Sequence, residues 1–159
     1  MKDSDVKRNR QELIQRFSLA IRASQNISDA FDEKVAERLG INLTDLRGLD
    51  ILSQRGSMTA GQLAEAMHLT SGAITTLVDR LEAAGYARRV RDTEDRRRVL
   101  VELTPRAEET ESLYEPLFLG SVELLKERTD KELLVMIDFL ERGREMVEKE
   151  LEKLESKDT

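Results

Sequence analysis

Apolar residues recur at three-, four- and seven-residue steps along most of the chain, which is the spacing of amphipathic helices. One such stretch covers about residues 6–38 and predicts a long first helix that ends near Gly40. A second helix is expected after Asn42, with Thr44 as its N-cap and Gly56 as its stop. The residues that define these stripes are Leu13, Phe17, Ala20, Ile27 and Phe31 in the first helix and Leu46, Leu49, Ile51 and Leu52 in the second.

Two shorter helices are predicted next, one after Thr59 and one after Thr70, and the second of them ends at Gly85. Their inward-facing residues are Leu63, Ala64 and Met67 in the third helix and Ile74, Leu77, Val78 and Leu81 in the fourth. Residues 86–91 and 99–103 then have the pattern of extended strands with β-branched residues, and they bracket a charged segment at 92–98. This arrangement predicts a β-hairpin.

The remaining third of the chain is expected to be helical again. Thr104 is predicted to cap a helix that has Pro105 at its first position, and a last helix is expected to begin at Thr129 or Asp130. A heptad-like seam follows in this last helix, formed by Ile137, Leu140, Val147, Leu151 and Leu154. The expected order is α-α-α-α-β-β-α-α, a mainly α fold with a small β-hairpin.

The middle of the chain has the pattern of a helix-turn-helix. Residues 63–74 place the small Ala64 where two helices cross and Thr70 where it can cap the second one. With the apolar face of that second helix buried, its outer face presents short residues first and a cation further along, which suits entry into a major groove. The candidate DNA-binding residues of this helix are Thr70, Ser71, Gly72, Thr75, Thr76 and Arg80.

The predicted hairpin directly after this motif is rich in arginine, with six arginines in thirteen positions. A two-stranded wing with an arginine tip can lie beside the major groove and enter the minor groove. We therefore expect Arg96, Arg97 and Arg98 to contact DNA. Asp95 is expected to pair with a nearby arginine and hold the wing in shape.

Charge along the chain agrees with this arrangement, although the formal net charge of −6 is unusual for a nucleic-acid binder. Residues 70–106 contain eight basic and six acidic residues, whereas residues 107–159 contain eight basic and sixteen acidic ones. This asymmetry suggests a DNA-facing centre and a tail that turns away from phosphate.

The stretch 63–104 resembles the MarR family of winged-helix regulators. Residues 70–82 match the recognition-helix pattern of that family, which closes here with Ala84-Gly85-Tyr86. The wing signature of the family is aspartate, any residue, arginine, five residues and Leu-Thr, and Asp95, Arg97, Leu103 and Thr104 meet it. The chain departs from the family at His68, where many members have glycine, and at Arg106-Ala107, where Lys-Gly is frequent.

The resemblance implies a homodimer whose N- and C-terminal helices intertwine and whose two winged lobes bind a pseudo-palindromic operator, usually as a repressor that a ligand releases. It places Gly72, Thr75, Thr76 and Arg80 in the major groove and Arg97 in the minor groove. The implied domains are a dimerisation helix at 1–40, a winged helix-turn-helix at 41–104 and dimerisation helices at 105–159. The candidate interface residues are Leu13, Phe17, Ile137, Leu140, Val147 and Leu151.

Composition argues against other functions. With one histidine and no cysteine, the sequence shows no Ser-His-acid or Cys-His set and disfavours a zinc site, so we expect no enzyme activity, metal or cofactor. His68 is interpreted as a turn residue, because histidine tolerates the left-handed backbone conformation. No apolar run suggests a membrane segment, and a cytoplasmic location is expected.

Two questions stay open at this level. One alternative is a winged-helix module that binds protein and has no DNA specificity, since a fold does not fix a function. Whether a small-molecule effector is sensed is also open; Phe17, Phe31 or Met58 could line its pocket.

Overall fold

A computed structural model describes residues 3–155 of the chain, with side chains for residues 9–154. The helices are α1 (Asp3–Leu39), α2 (Leu43–Arg55), α3 (Ala60–Met67), α4 (Ser71–Ala83), α5 (Glu108–Leu125) and α6 (Asp130–Glu155). The strands are β1 (Met58–Thr59), β2 (Ala87–Arg91) and β3 (Val99–Leu103), and a 3-10 turn covers Pro105–Ala107. The mainly helical architecture with a small antiparallel sheet confirms the predicted fold class.

Local capping defines where several helices begin. Thr59 and Gln62 form a reciprocal capping box at the start of α3, so that two backbone N–H groups of the first turn are satisfied. Thr129 and Glu132 make the equivalent contacts before α6, and these hydrogen bonds lower the pKa of Glu132. The predicted start of the last helix is thereby confirmed.

The predicted cap of α2 is wrong by two residues. Asn42, and not Thr44, is the N-cap, because its side-chain oxygen accepts the backbone N–H of Asp45 at 2.9 Å. Thr104 precedes the 3-10 turn without capping it through its side chain; its hydroxyl donates to the carbonyl of Gly85 at 2.6 Å instead.

The hydrophobic core lies among α2, α3, α4 and the sheet. Leu63, Leu77, Val78, Leu81 and Tyr86 have no exposed surface at all. α2 passes close to α4 at Gly48, where an added Cβ would lie 3.1 Å from Leu77 Cδ2. The inward faces predicted for α3 and α4 are therefore confirmed, and together with α2 they form a small but closed core.

The sheet has the strand order β1-β3-β2 and is antiparallel throughout. β2 pairs with β3 from Ala87 opposite Leu103 to Arg91 opposite Val99. β1 adds two residues to the other edge of β3, with Met58 opposite Val101. The hairpin is as expected, whereas β1 was not predicted, since two residues are too few to show a strand period.

The chain divides into two compact units, of which the first ends at Leu113 and the second begins at Tyr114. In the first unit, α1 is exposed over most of its described length and is buried only near its end, at Val35 and Ala36. In the second unit, none of the described side chains from 114 to 154 is buried.

Candidate nucleic-acid interface

The turn between α3 and α4 is built by three consecutive backbone features. His68 has φ 54° and ψ 44°, the left-handed conformation that ends α3, as the sequence predicted. The amide of Leu69 donates to the carbonyl of Ala64, and the hydroxyl of Thr70 accepts the amide of Ala73 at 3.3 Å. α4 therefore begins at Ser71 in a fixed direction relative to α3.

α4 separates its two faces cleanly. Ile74, Leu77, Val78 and Leu81 are buried, which is the face predicted to lie inward. The opposite face exposes Thr70, Ser71, Gly72, Thr75, Thr76, Asp79 and Arg80.

The two threonine hydroxyls on the exposed face donate to the backbone of the preceding turn. Thr75 Oγ1 donates to the carbonyl of Ser71 at 2.8 Å, and Thr76 Oγ1 donates to the carbonyl of Gly72 at 3.1 Å. An added Cβ at Gly72 would meet nothing within 4 Å, so the protein's own packing does not require glycine there.

Arg80 makes a contact that the sequence did not indicate. Its Nε and Nη2 donate to both carboxylate oxygens of Asp45, at distances of 2.5 to 3.2 Å. Asp45 is 2% exposed and also accepts from the side-chain amide of Asn42. The hydrogen bond with Asp45 raises the pKa of Arg80. Arg80 thus ties α4 to the start of α2, while 43% of its side chain stays exposed.

A second set of ion pairs joins α4 to the wing. Arg89 on β2 contacts Asp79 at 2.8 Å and also pairs with Glu82, which accepts the backbone N–H of Arg89 at 2.7 Å. On the other face of the hairpin, Arg88 pairs with Glu102 of β3. Arg89 therefore fixes the wing against α4, and Arg88 pairs the two strands of the wing.

The wing loop is held by its aspartates in a way that differs from the prediction. Among the side chains of residues 9–154, no guanidinium pairs with Asp95; its Oδ1 accepts the backbone N–H of Arg97 at 3.0 Å, and its carbonyl accepts the N–H of Arg98. The ion pair of this loop joins Asp92 to Arg98 at 3.7 Å. Asp95 therefore shapes the loop through the backbone, since an Asx turn needs only a short acceptor.

Three arginines of the hairpin make no ion pair with the described residues, namely Arg91, Arg96 and Arg97. All three are exposed. Arg96 and Arg97 were predicted as DNA contacts, whereas Arg91 was counted among the six arginines of the hairpin without an assigned contact. Arg91 lies opposite Val99 on β3, which offers no counter-charge.

The base of the wing is fixed to both α1 and α4. The buried Tyr86 donates its hydroxyl to the carbonyl of Leu39 at 3.2 Å. Arg106 stacks over the Tyr86 ring, 4.6 Å from its centroid, and donates to the carbonyl of Ala84. Arg106 therefore contacts both the end of α4 and the base of the wing.

The predicted dimerisation residues are all surface residues in the single chain. Leu13 and Phe17 on α1 are 54% and 50% exposed, and Leu140 and Val147 on α6 are 67% and 60% exposed. Ile137 and Leu151 are 49% and 37% exposed. Met58, considered above for an effector pocket, is instead buried in the core.

Within residues 3–155 no group of acidic residues and histidine has the arrangement of a metal site. In the same range, no helix is long and apolar enough to cross a membrane.

Comparison with known proteins agrees with this geometry. The model of the MarR family matches residues 41–99, from the start of α2 to the start of β3. Two uncharacterized HTH-type transcriptional regulators of Bacillus subtilis (strain 168) are similar. YcgE is 42% identical over 125 residues, covering 78% of this chain and 81% of its own. YfiV is 32% identical over 117 residues, covering 71% and 73%.

Among solved structures, a MarR family protein from Bacillus stearothermophilus has the same fold, with a TM-score of 0.58 and 21% identity over 92% of this chain and 99% of its own. The fold of the chain thus occurs in a solved MarR family protein. The chain belongs to the MarR family, and it is a DNA-binding transcriptional regulator rather than an enzyme.

Proposed function

We propose that the protein binds a pseudo-palindromic operator as a homodimer, represses transcription by covering the promoter, and is released by a small-molecule effector. The observation that carries this proposal is the junction of α4 with the wing. The ion pairs of Arg89 with Asp79 and Glu82 hold an exposed helix face of short residues beside a loop whose Arg96 and Arg97 form no ion pair with the described side chains.

The proposed major-groove element is α4. Its start is exposed at Thr70, Ser71 and Gly72, and small side chains there let a helix approach base edges closely. Arg80 is assigned to a phosphate rather than to a base. Its Nε–Nη2 edge is occupied by Asp45, so the exposed remainder of the guanidinium can serve one backbone contact.

The proposed minor-groove element is the wing loop, with Arg96 and Arg97 as its contacts and Arg98 beside them. Narrow A·T-rich minor grooves attract guanidinium groups. The charge of Arg98 is partly neutralised by Asp92, and we therefore expect Arg98 to contribute less than Arg97 to the affinity for DNA. Arg91, at the end of β2, is added as a phosphate contact because it is exposed and unpaired among the described residues.

The proposed dimer follows from the helices that the single chain leaves uncovered. In the described part of the second unit, the two helices bury no side chain and therefore have no core of their own. A second copy of the same chain would supply the missing apolar surface through a two-fold interface. The effector, in this proposal, changes the separation of the two lobes and does not contact α4.

The proposal is tested by selecting bound sequences from a random duplex pool with the purified full chain, followed by titration of the selected duplex at two salt concentrations. We expect an inverted repeat with half-sites about one helical turn apart, and an affinity that falls steeply with salt because phosphate contacts release counterions. Weak binding without any enriched sequence would overturn the proposal in favour of a protein-binding module.

A further inference from the structure

The exposed face of α4 has two rows of side chains. Each row ends in a charged residue that already forms an ion pair within the protein. One row is Ser71, Thr75 and Asp79, and the other is Gly72, Thr76 and Arg80, each with a spacing of four residues. Asp79 is bound by Arg89, and Arg80 is bound by Asp45. The groups left to face bases are therefore the hydroxyls and methyls nearer the start of the helix.

The absence of a base-reading cation on α4 excludes the commonest way of recognising guanine. A bidentate contact to guanine O6 and N7 needs the side chain of arginine or lysine. Arg80 is the one basic residue of α4, and it lies five residues beyond Thr75, which is about 7 Å further along the helix axis. Its guanidinium is anchored on the side of α2 by a carboxylate that is 2% exposed. We therefore expect no bidentate guanine contact from this helix.

The threonine hydrogen bonds define what α4 offers in place of a cation. A hydroxyl has one proton, and in Thr75 and Thr76 this proton is donated to a backbone carbonyl. The oxygen that faces outward is therefore an acceptor, and the γ-methyl group lies beside it. Acceptors match exocyclic amino groups, which adenine N6 and cytosine N4 display in the major groove, and a methyl group matches the C5-methyl of thymine.

We infer that α4 recognises its half-site through thymine C5-methyl groups and the amino groups of adenine or cytosine, and not through a bidentate contact to guanine. This inference rests on the proposed function, because it specifies which base edges the same helix contacts. Thr75 and Thr76 are the specificity-determining residues, and Gly72 permits the approach that brings them within reach of the bases.

The test uses the full chain and the duplex obtained by selection, with base analogues at each position of the half-site. Uracil replaces thymine to remove only the C5-methyl, and 7-deazaguanine replaces guanine to remove only the N7 acceptor. Both changes lie in the major groove, so the contacts of the wing in the minor groove are unaffected. We expect uracil at one or two positions to weaken binding about fourfold each, the value of one buried methyl group. We expect less than a twofold change from 7-deazaguanine.

Matched variants of Thr75 and Thr76 show which side chain contacts the thymine methyl group. Thr75→Ser and Thr76→Ser each keep the hydroxyl and remove the methyl, so the contacted thymine should lose its sensitivity to uracil in one of them. Thr75→Val and Thr76→Val keep the methyl and should retain that sensitivity while losing affinity for the duplex.

Binding that is sensitive to 7-deazaguanine and insensitive to uracil would overturn the inference while leaving the proposed function intact. Sensitivity to uracil that persists unchanged in both serine variants would overturn the assignment to Thr75 and Thr76. A protein that enriches no sequence at all would instead contradict the proposed function, so the two failures are distinguishable.

Discussion

At the scale of single residues, Gly72 is a glycine that the protein's own structure does not require. It lies in the first turn of α4, and an added Cβ there would meet open space. Glycine lowers helix stability relative to alanine. A glycine that packing does not require is consistent with a ligand that approaches the helix backbone closely at this position.

The substitution Gly72→Ala has a matched control in Gly61→Ala. Gly61 occupies the same second position of α3, and its added Cβ would have no neighbour closer than 3.9 Å. We expect both variants to gain a similar stability of up to about 1 kcal/mol in thermal unfolding. Only Gly72→Ala should bind the selected duplex more weakly, by about tenfold, because the extra methyl holds the helix away from the bases. Equal affinity of the two variants would contradict the assigned position of α4 in the groove.

Sequence patterns could not identify the partner of Arg80. Helical spacing correctly placed this arginine on the outer face of α4, and it is partly exposed there. Its partner Asp45 lies 35 positions earlier and belongs to another helix. A contact of that kind depends on how α2 crosses α4, which periodicity within one helix does not contain.

At the scale of elements, the boundaries that depend on local chemistry were predictable. The helix start after Thr59, the cap at Thr70, the left-handed residue His68 and the helix start at Thr129 or Asp130 follow from neighbouring residues, and each is confirmed. The cap of α2 was wrong because Asn42 and Thr44 are both good caps and only the geometry of the incoming chain selects between them.

The ion pairs of the wing also could not be predicted from the sequence. Sequence alone selected Arg96, Arg97 and Arg98 by their place at the tip of the hairpin, whereas the structure shows ion pairs at Arg88, Arg89 and Arg98. Strand register and the packing of β2 against α4 decide which arginines are occupied. The arginines that remain available for DNA are therefore known only once the hairpin is folded.

For the wing, the most informative variant is Arg97→Ala, with Arg142→Ala on α6 as the control of equal charge. Arg97 is exposed and unpaired among the described residues, while Arg142 pairs only with Asp138 on its own helix at 3.7 Å. We expect Arg97→Ala to weaken binding to the selected duplex by about tenfold or more and to lower the salt slope by about one. Arg142→Ala should bind as the unmodified protein does, as measured by fluorescence anisotropy. Identical behaviour of the two variants would remove Arg97 from the interface.

At the scale of the whole molecule, the distribution of apolar surface is the main feature that the single chain leaves unexplained. The core of α2, α3, α4 and the sheet is closed, whereas α1, α5 and α6 expose many large apolar side chains. On α6 they follow three-, four- and seven-residue steps through Ile137, Leu140, Val147 and Leu151. Such a seam suits a helix partner in another copy of the chain.

A charged residue in this seam should therefore prevent dimerisation. Leu140 is 67% exposed in the single chain, so the substitution Leu140→Glu does not place a carboxylate in a buried core of the monomer. Any loss of dimerisation would therefore come from the carboxylate at the interface. Glu141→Ala, at the neighbouring exposed position, is the control. Light scattering should give a monomer, or a dimer weakened at least a hundredfold, for Leu140→Glu and an unchanged dimer for Glu141→Ala.

The most direct test of a two-lobed regulator is the mass of its complex with one duplex that contains the full selected site, measured by light scattering. We expect two copies of the chain per duplex for the unmodified protein, and no such complex for Leu140→Glu at the same concentration. One copy of the chain bound per duplex, with the same affinity in both proteins, would contradict the dimeric mode of DNA recognition proposed here.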